Sequence, residues 1–214
     1  MTTKKVGVFR FPGTNCDRDV FKAVENVGKT PVWLWHNDRF NPKDFDAFMI
    51  PGGFSYGDYL RAGALAARSP AMLDLKKAAD SGKPVLGICN GFQILCELTL
   101  LPGALLKNEN QRFIDRWVTL ISRNRSPYFA QNSAPKVKLP IAHGQGRFYC
   151  DSETLKKLYD EDQIWWTYEE NPNGSLENIA GVLNQQKNVA ALMPHPERAM
   201  TDWMGSEEGQ GFFL

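Results

Sequence analysis

Apolar residues in the first half of the chain follow two alternating patterns. Between positions 17 and 27 they recur at helical spacing, as at Val20, Val24 and Val27. Elsewhere they form short continuous runs typical of strands buried on both faces, at 6–9, 31–35, 45–50 and 84–89. Further helices are expected at 62–79, interrupted at Pro70, and at 92–98. Strands that alternate with helices predict a parallel sheet covered on both sides.

The second half of the chain has a different pattern. Short strand candidates follow one another with polar turns between them, at 116–121, 137–142, 164–168, 179–183 and 189–193. We therefore expect an α/β fold with a mostly parallel sheet flanked by helices, to which the second half adds antiparallel strands. The 214 residues show no internal repeat, and their number fits a single domain over 1–214.

Composition and charge exclude several classes of protein. Hydrophobic residues make up 43% and charged residues 23%, as in ordinary globular proteins, and the net charge of +1 builds no basic field for nucleic acid or a membrane surface. The first five residues do not resemble a secretory leader, and no apolar run is long enough to span a bilayer. The four cysteines include no Cys-x-x-Cys pair, which favours reduced thiols in a cytoplasmic protein and no metal site.

The strongest local motif is Gly87-Ile88-Cys89-Asn90-Gly91, between an apolar strand and a helix. A nucleophile on such a tight turn projects from the edge of the sheet, and the glycines prevent a clash at the turn. The start of a helix also favours the thiolate, and the backbone N–H of Asn90 is suited to bind an oxyanion. A buried structural cysteine is the alternative, but this context favours a nucleophile at Cys89. Three cysteines lack that context: Cys16, Cys96 and Cys150.

A base for this thiol is suggested by Pro194-His195-Pro196-Glu197. Proline favours extended geometry in the residue before it, and residues two apart in an extended segment point the same way. Glu197 would then orient His195, whose other ring nitrogen would face the nucleophile. A rigid, solvated loop is the alternative interpretation of this segment.

Two glycine-rich turns complete the candidates. Gly52 and Gly53 follow the strand at 45–50 and would lie at the same edge of the sheet as Cys89, where they are suited to present a second backbone N–H to an oxyanion. A turn in which the glycines serve only the backbone geometry is the alternative. The turn at 143–148 is either a simple hairpin or part of the site.

Together, Gly87 to Gln93, Pro51-Gly52-Gly53 and Pro194 to Glu197 resemble class I (triad) glutamine amidotransferases, and among them the glutaminase subunits that serve purine synthesis. The segment Pro12 to Asp17 and the His143 turn match those subunits as well, and the similarity covers nearly the whole chain. Members of the family carry Glu where this chain has Gln145, and they continue with a longer helix beyond Leu214.

The resemblance implies hydrolysis of L-glutamine to glutamate and ammonia through a thioester. Cys89 would be the nucleophile, His195 the base and acid, and Glu197 the residue that orients it. Backbone donors at Gly53 and Asn90 would bind the oxyanion, with Gly52 beside them, and Gln93 would line the glutamine pocket.

The resemblance also implies partners. A separate large synthetase subunit would use ATP and Mg to convert formylglycinamide ribonucleotide to the amidine, and a small accessory subunit would help to assemble the complex. This chain would itself need no cofactor. The alternatives are another elbow-cysteine hydrolase or stress protein on a related fold, and a non-catalytic binding subunit.

Overall fold

The computed structural model describes residues 4–213 as eleven strands and four α-helices. The predictions about a leader and about the end of the chain fall partly on residues 1–3 and on Leu214, which lie outside the described residues. The helices are α1 (Asp17–Asn26), α2 (Pro70–Asp80), α3 (Asn90–Glu97) and α4 (Ser152–Asp160). The strands are β1 (Lys5–Arg10), β2 (Thr30–Trp35), β3 (Ala47–Ile50), β4 (Val85–Ile88), β5 (Ala104–Leu106), β6 (Ile114–Ser122), β7 (Lys136–His143), β8 (Arg147–Tyr149), β9 (Ile164–Tyr168), β10 (Ile179–Leu183) and β11 (Val189–Leu192).

Nine strands form one sheet in the order β2-β1-β3-β4-β11-β10-β9-β6-β7. The first five are parallel to one another, in the strand order of flavodoxin-like folds with β11 as the fifth strand. The other four continue the sheet in antiparallel fashion, while β5 and β8 pair separately. The predicted α/β class, with a parallel sheet extended by antiparallel strands, is confirmed.

One strand of the second half, β11, differs from the prediction that this half adds antiparallel strands to the sheet. β11 pairs in parallel with β4, with Val189 opposite Val85 and Leu192 opposite Ile88. Its short, fully buried run carries the signature of a parallel core strand, as β3 and β4 do. The chain therefore returns to the middle of the nine-stranded sheet, where β11 lies between parallel β4 and antiparallel β10.

Two helix predictions need correction. The helix expected over 62–79 exists only from Pro70 onward, because the preceding residues form turns and a short 3-10 helix at Ala66–Arg68. Gly63 has φ +82 and approaches α3 so closely that a Cβ there would lie 2.8 Å from the backbone N of Ile94. Sequence reasoning also missed α4, of which only Leu158 is fully buried.

The buried centre of the sheet brings three loops to one edge. β3, β4 and β11 are buried along their whole length, and α3 packs against all three. Their carboxyl ends lead directly to Gly52, Cys89 and His195, where open α/β sheets bind ligands. Among residues 4–213, every helix falls short of the length and apolar character needed to cross a membrane.

Candidate active site

Cys89 stands on the sharp turn between β4 and α3. Its φ of 51° and ψ of −104° are strained for a residue with a side chain, and such strain often marks a functional position. Its N–H donates to the carbonyl of Leu192 at 2.9 Å, which ties the turn to β11. A Cβ at Gly91 would lie 2.1 Å from the carbonyl O of Ile50, and one at Gly87 would lie 2.8 Å from the carbonyl C of Gly91. Both glycines are therefore required by packing at this turn.

His195 and Glu197 form a buried pair just after β11. Nδ1 of His195 lies 2.6 Å from Oε1 of Glu197, and each residue is only 1% exposed. A carboxylate can only accept, so Nδ1 carries the proton and Nε2 is the free nitrogen. The predicted extended geometry is wrong for Glu197, because Pro196–Arg198 forms a 3-10 turn. That turn nevertheless brings the carboxylate to the imidazole.

The environment of His195 favours the imidazolium. Burial alone would lower its pKa, but the Glu197 carboxylate and the Cys89 thiol raise the pKa well above its ordinary value. The thiols of Cys16 and Cys89 both lie within reach of the ring, although Nε2 has no partner in good hydrogen-bond geometry. Such loose contacts are common in unliganded active sites. A proton leaving Cys89 can therefore be held on a ring that Glu197 already stabilises.

The glycine loop after β3 lies against the same two residues. A Cβ at Gly52 would lie 2.7 Å from Cε1 of His195 and 3.3 Å from Cβ of Cys89. Gly53 has φ +138, and a Cβ there would lie 2.6 Å from the backbone N of Asn15. Only glycines fit this loop, so its backbone can approach the nucleophile closely.

Asn90 and Gln93 belong to a chain of hydrogen bonds that braces this edge. Oδ1 of Asn90 accepts from the N–H of Ser55 at 3.2 Å, and its Nδ2 donates to Oε1 of Gln93 at 2.7 Å. Nε2 of Gln93 in turn donates to the carbonyl of Gln145 at 2.7 Å. Gln145 thus takes part through its backbone, which a change of side chain from Glu to Gln leaves intact.

The His143 turn lies beside the site. The carbonyl of Ala142 is 3.9 Å from Sγ of Cys89. His143 is buried, and its Nδ1 lies 3.0 Å from Oδ1 of Asn108, whose amide also bonds the carbonyl of His143. Burial and the charge of His195 lower the pKa of His143 to about 4. The turn does not close a simple hairpin, because β7 pairs with β6 while β8 pairs with β5.

Sequence reasoning missed Cys16 as a neighbour of the site. Its N–H donates to the carbonyl of Gly52 at 3.3 Å, and its Sγ accepts from Nη2 of Arg198 at 3.2 Å. Burial raises the pKa of this thiol, while His195 and Arg198 act to lower it. A usable signal was present in the sequence, because Cys16 follows β1 and loops at the carboxyl ends of parallel strands meet at one edge.

Comparisons with known proteins give a consistent result. Residues 3–211 match the model of the CobB/CobQ-like glutamine amidotransferase domain. The chain is 43% identical to a chain in the structure of PurLQS from Thermotoga maritima, with a TM-score of 0.89 over 98% of this chain and 95% of that one. A glutamine amidotransferase from Thermotoga maritima shares the fold at 15% identity, with a TM-score of 0.61 over 92% of this chain and 77% of that one.

Proposed function

Because the chain belongs to the family of CobB/CobQ-like glutamine amidotransferase domains, we propose that it is the glutaminase subunit of a phosphoribosylformylglycinamidine synthase. It hydrolyses L-glutamine and passes the ammonia to a synthetase, which converts formylglycinamide ribonucleotide to the amidine in purine synthesis. The 43% identity to a PurLQS chain, across nearly all of both chains, carries the specific assignment. The match over residues 3–211 speaks against a stress protein or another hydrolase of related fold.

The proposed reaction begins at the turn that holds Cys89. The thiol proton moves to Nε2 of His195, and the sulfur attacks the side-chain amide carbon of glutamine. Glu197 stabilises the resulting imidazolium through the 2.6 Å contact at Nδ1. Backbone N–H groups of Gly53 and Asn90 bind the oxyanion, each worth about 3 kcal/mol in the transition state.

The second half of the reaction releases both products. The imidazolium donates its proton to the departing amine, and ammonia leaves a thioester on Cys89. His195 then takes a proton from water, the hydroxide attacks the thioester, and glutamate is released as the Cys89 sulfur leaves and regains the proton from His195. Gln93 contributes through the brace to Gln145, which holds the wall of the glutamine pocket in place.

The same assignment implies which partner subunits and cofactors the reaction requires. The partners are a large synthetase subunit, which uses ATP and Mg, and a small accessory subunit, while this chain needs no cofactor of its own. A single domain over residues 1–214 and a cytoplasmic location stay predictions.

The decisive experiment uses the reconstituted complex. Cys89→Ala should abolish glutamine-dependent synthesis of the amidine and leave synthesis from added ammonia intact, because only the ammonia supply is lost. Cys96→Ala is a matched control in the same helix, since Sγ of Cys96 contacts the carbonyl of Pro102 at 3.8 Å, away from the site. Glutamine turnover that persists in Cys89→Ala would contradict the proposal. A wild-type complex that does not hydrolyse glutamine would contradict it as well.

A further inference from the structure

Cys16 is a buried side chain at the site that the proposed reaction does not use. Its Sγ, a ring nitrogen of His195 and a carboxylate oxygen of Glu197 lie within 4.8 Å of one another. Cys16 is only 3% exposed and belongs to the loop between β1 and α1, whereas the other two residues follow β11. The thiol therefore lies beside the His195–Glu197 pair on a different element of the fold.

The carboxylate of Glu197 is held directly by one hydrogen bond. Its Oε1 accepts from Nδ1 of His195, but its Oε2 is buried and has no hydrogen-bond partner among residues 4–213. The position of the carboxylate therefore depends on the backbone of the 3-10 turn at Pro196–Arg198. The start of this turn is fixed, because the N–H of His195 donates to the carbonyl of Pro140 at 2.8 Å.

The end of the same turn is held by the side chain of Arg198. Its Nη2 donates to Sγ of Cys16 at 3.2 Å, and its Nε donates to Oδ2 of Asp19 at 3.3 Å. Cys16 directly precedes α1 and Asp19 lies in the first turn of that helix, so the two acceptors are three residues apart and lie on one face. One guanidinium therefore ties the turn that carries Glu197 to the start of α1.

The thiol is the more firmly placed of the two acceptors. The N–H of Cys16 donates to the carbonyl of Gly52 at 3.3 Å, and its Sγ donates to Oδ1 of Asn15 at 3.5 Å. Burial raises the pKa of this thiol, so the sulfur serves as a neutral acceptor. The side chain of Asp19 is 44% exposed, and exposed ion pairs contribute little. The buried sulfur is therefore the main anchor of the guanidinium.

We propose that Cys16 is a positioning residue for the His195–Glu197 pair. Its sulfur anchors the guanidinium of Arg198, and the guanidinium holds the turn that brings the Glu197 carboxylate to the imidazole. Cys16 itself makes and breaks no bond in the reaction. The inference rests on the proposed function, because it concerns the pair that moves the proton of Cys89.

The first test follows the imidazole without measuring activity. The chain has three histidines, so NMR with isotope-labelled histidine can follow the ring of His195 through a pH titration. Burial lowers the pKa of His195, while Glu197, Cys89 and Cys16 raise it. Cys16→Ala should therefore lower this pKa, because the thiol is lost and the carboxylate is held less well. Cys16→Ser restores an acceptor for the guanidinium and should return the pKa towards that of the wild type.

Cys96→Ala is the matched control for this titration. It also removes one thiol, but from α3, where Sγ of Cys96 contacts the carbonyl of Pro102. The pKa of His195 should not change in this variant. An unchanged pKa in Cys16→Ala would overturn the proposal, as would a Cys16→Ser chain that behaves as Cys16→Ala does.

The second test measures kinetics in the reconstituted complex. In Cys16→Ala, kcat for glutamine-dependent synthesis should fall by about tenfold with KM for glutamine within about twofold, because a slightly misplaced imidazole slows proton transfer. The acid limb of the pH profile should move to lower pH, and synthesis from added ammonia should stay intact. A fall in kcat without a shift of the acid limb would indicate a merely structural role and overturn the proposal.

An exposed variant covers the case in which Cys16→Ala folds poorly. Asp19→Ala removes the second acceptor of Arg198 from the surface and should lower kcat by about threefold, with the acid limb moved in the same direction. Asp19→Asn keeps an acceptor oxygen and should lose less. Wild-type rate and pH profile in Asp19→Ala would overturn the role of the guanidinium. A wild-type complex without glutaminase activity would refute the proposed function, while the NMR titration would still decide whether Cys16 positions the pair.

Discussion

Two buried histidines lie on either side of the same site and differ in their partners. Nδ1–H of His195 donates a hydrogen bond to the carboxylate of Glu197, while Nδ1 of His143 lies against the amide oxygen of Asn108. The pKa of His195 is raised well above its ordinary value by Glu197 and Cys89 against the effect of burial, whereas the pKa of His143 falls to about 4. One ring is equipped to hold a proton, and the other is held neutral. The charge of the partner, more than burial itself, decides which histidine can act as a base.

The largest effect is expected when the charged partner of His195 is replaced by a neutral amide, which is the kind of partner that His143 has in Asn108. Glu197→Gln replaces the carboxylate by an amide, so the pKa of His195 should fall and the imidazolium should lose its support. We expect kcat/KM for glutamine to drop by about 10⁴ in the reconstituted complex, as when a triad carboxylate is lost. The acid limb of its pH profile should move to lower pH.

The control for this prediction is Glu170→Gln, the same substitution at an exposed glutamate. It should leave both the rate and the pH profile unchanged. A Glu197→Gln enzyme within about tenfold of the wild type would show that the charge of the partner does not distinguish the two histidines.

A second prediction concerns stability and rests on His143. Its folded pKa of about 4 lies below the ordinary value of 6.5, so the unfolded chain binds the proton more tightly. The contribution of His143 to stability is therefore complete above pH 6.5 and is lost as the pH falls from 6.5 to 4. The difference amounts to about 3 kcal/mol in the free energy of unfolding.

Urea unfolding at several pH values between 4 and 7 measures this effect. His143→Gln should unfold with a shallower dependence on pH than the wild type, because the linked proton is gone while the carboxyl groups remain. Identical slopes would contradict a neutral, buried His143. His195 acts with the opposite sign, since its raised pKa stabilises the fold at lower pH and that contribution is lost as the pH rises through its folded pKa.

The smallest effect concerns the packing that holds His143 in place. A Cβ at Gly146 would lie 2.3 Å from Cε1 of the His143 ring, while one at Gly144 would meet only Phe113 at 3.8 Å. Gly146→Ala should destabilise the fold by about 1–3 kcal/mol in thermal or urea unfolding. Gly144→Ala, two residues away in the same turn, should change it by less than about 0.5 kcal/mol. Equal effects of the two substitutions would show that the ring is free to move aside.

Much of the fold could be read from the sequence because buried strands are continuous apolar runs. β3, β4 and β11 were found in this way, as was the turn at Cys89 between glycines. The direction of β11 was not predicted, because an apolar run of four residues says nothing about its neighbours in a sheet. The turns at 62–69 were mistaken for helix because alanine-rich composition gave no sign of the left-handed backbone at Leu60 and Gly63.

The site was predictable where residues adjacent in sequence act together. His195 and Glu197 are two positions apart, so their pairing was expected from the sequence. Cys16 was missed because its approach to His195 depends on loops separated by nearly the whole chain, and a lone cysteine carries no local signature. The hydrogen bond from Gln93 to the backbone carbonyl of Gln145 could not be predicted either. Every residue carries a backbone carbonyl, so the sequence does not indicate which one accepts.

The central position of β11 also orders events during synthesis of the chain. β4 leaves the ribosome with one edge unpaired, and its partner on that side is translated about 100 residues later, roughly 5–20 s at usual elongation rates. During that interval the nascent polypeptide exposes the unpaired backbone edge of β4 together with its apolar side chains. A chaperone bound there would prevent pairing with other chains. The arrival of β11 pairs this edge and brings His195 to Cys89 in the same event, so these two side chains come together only late in synthesis.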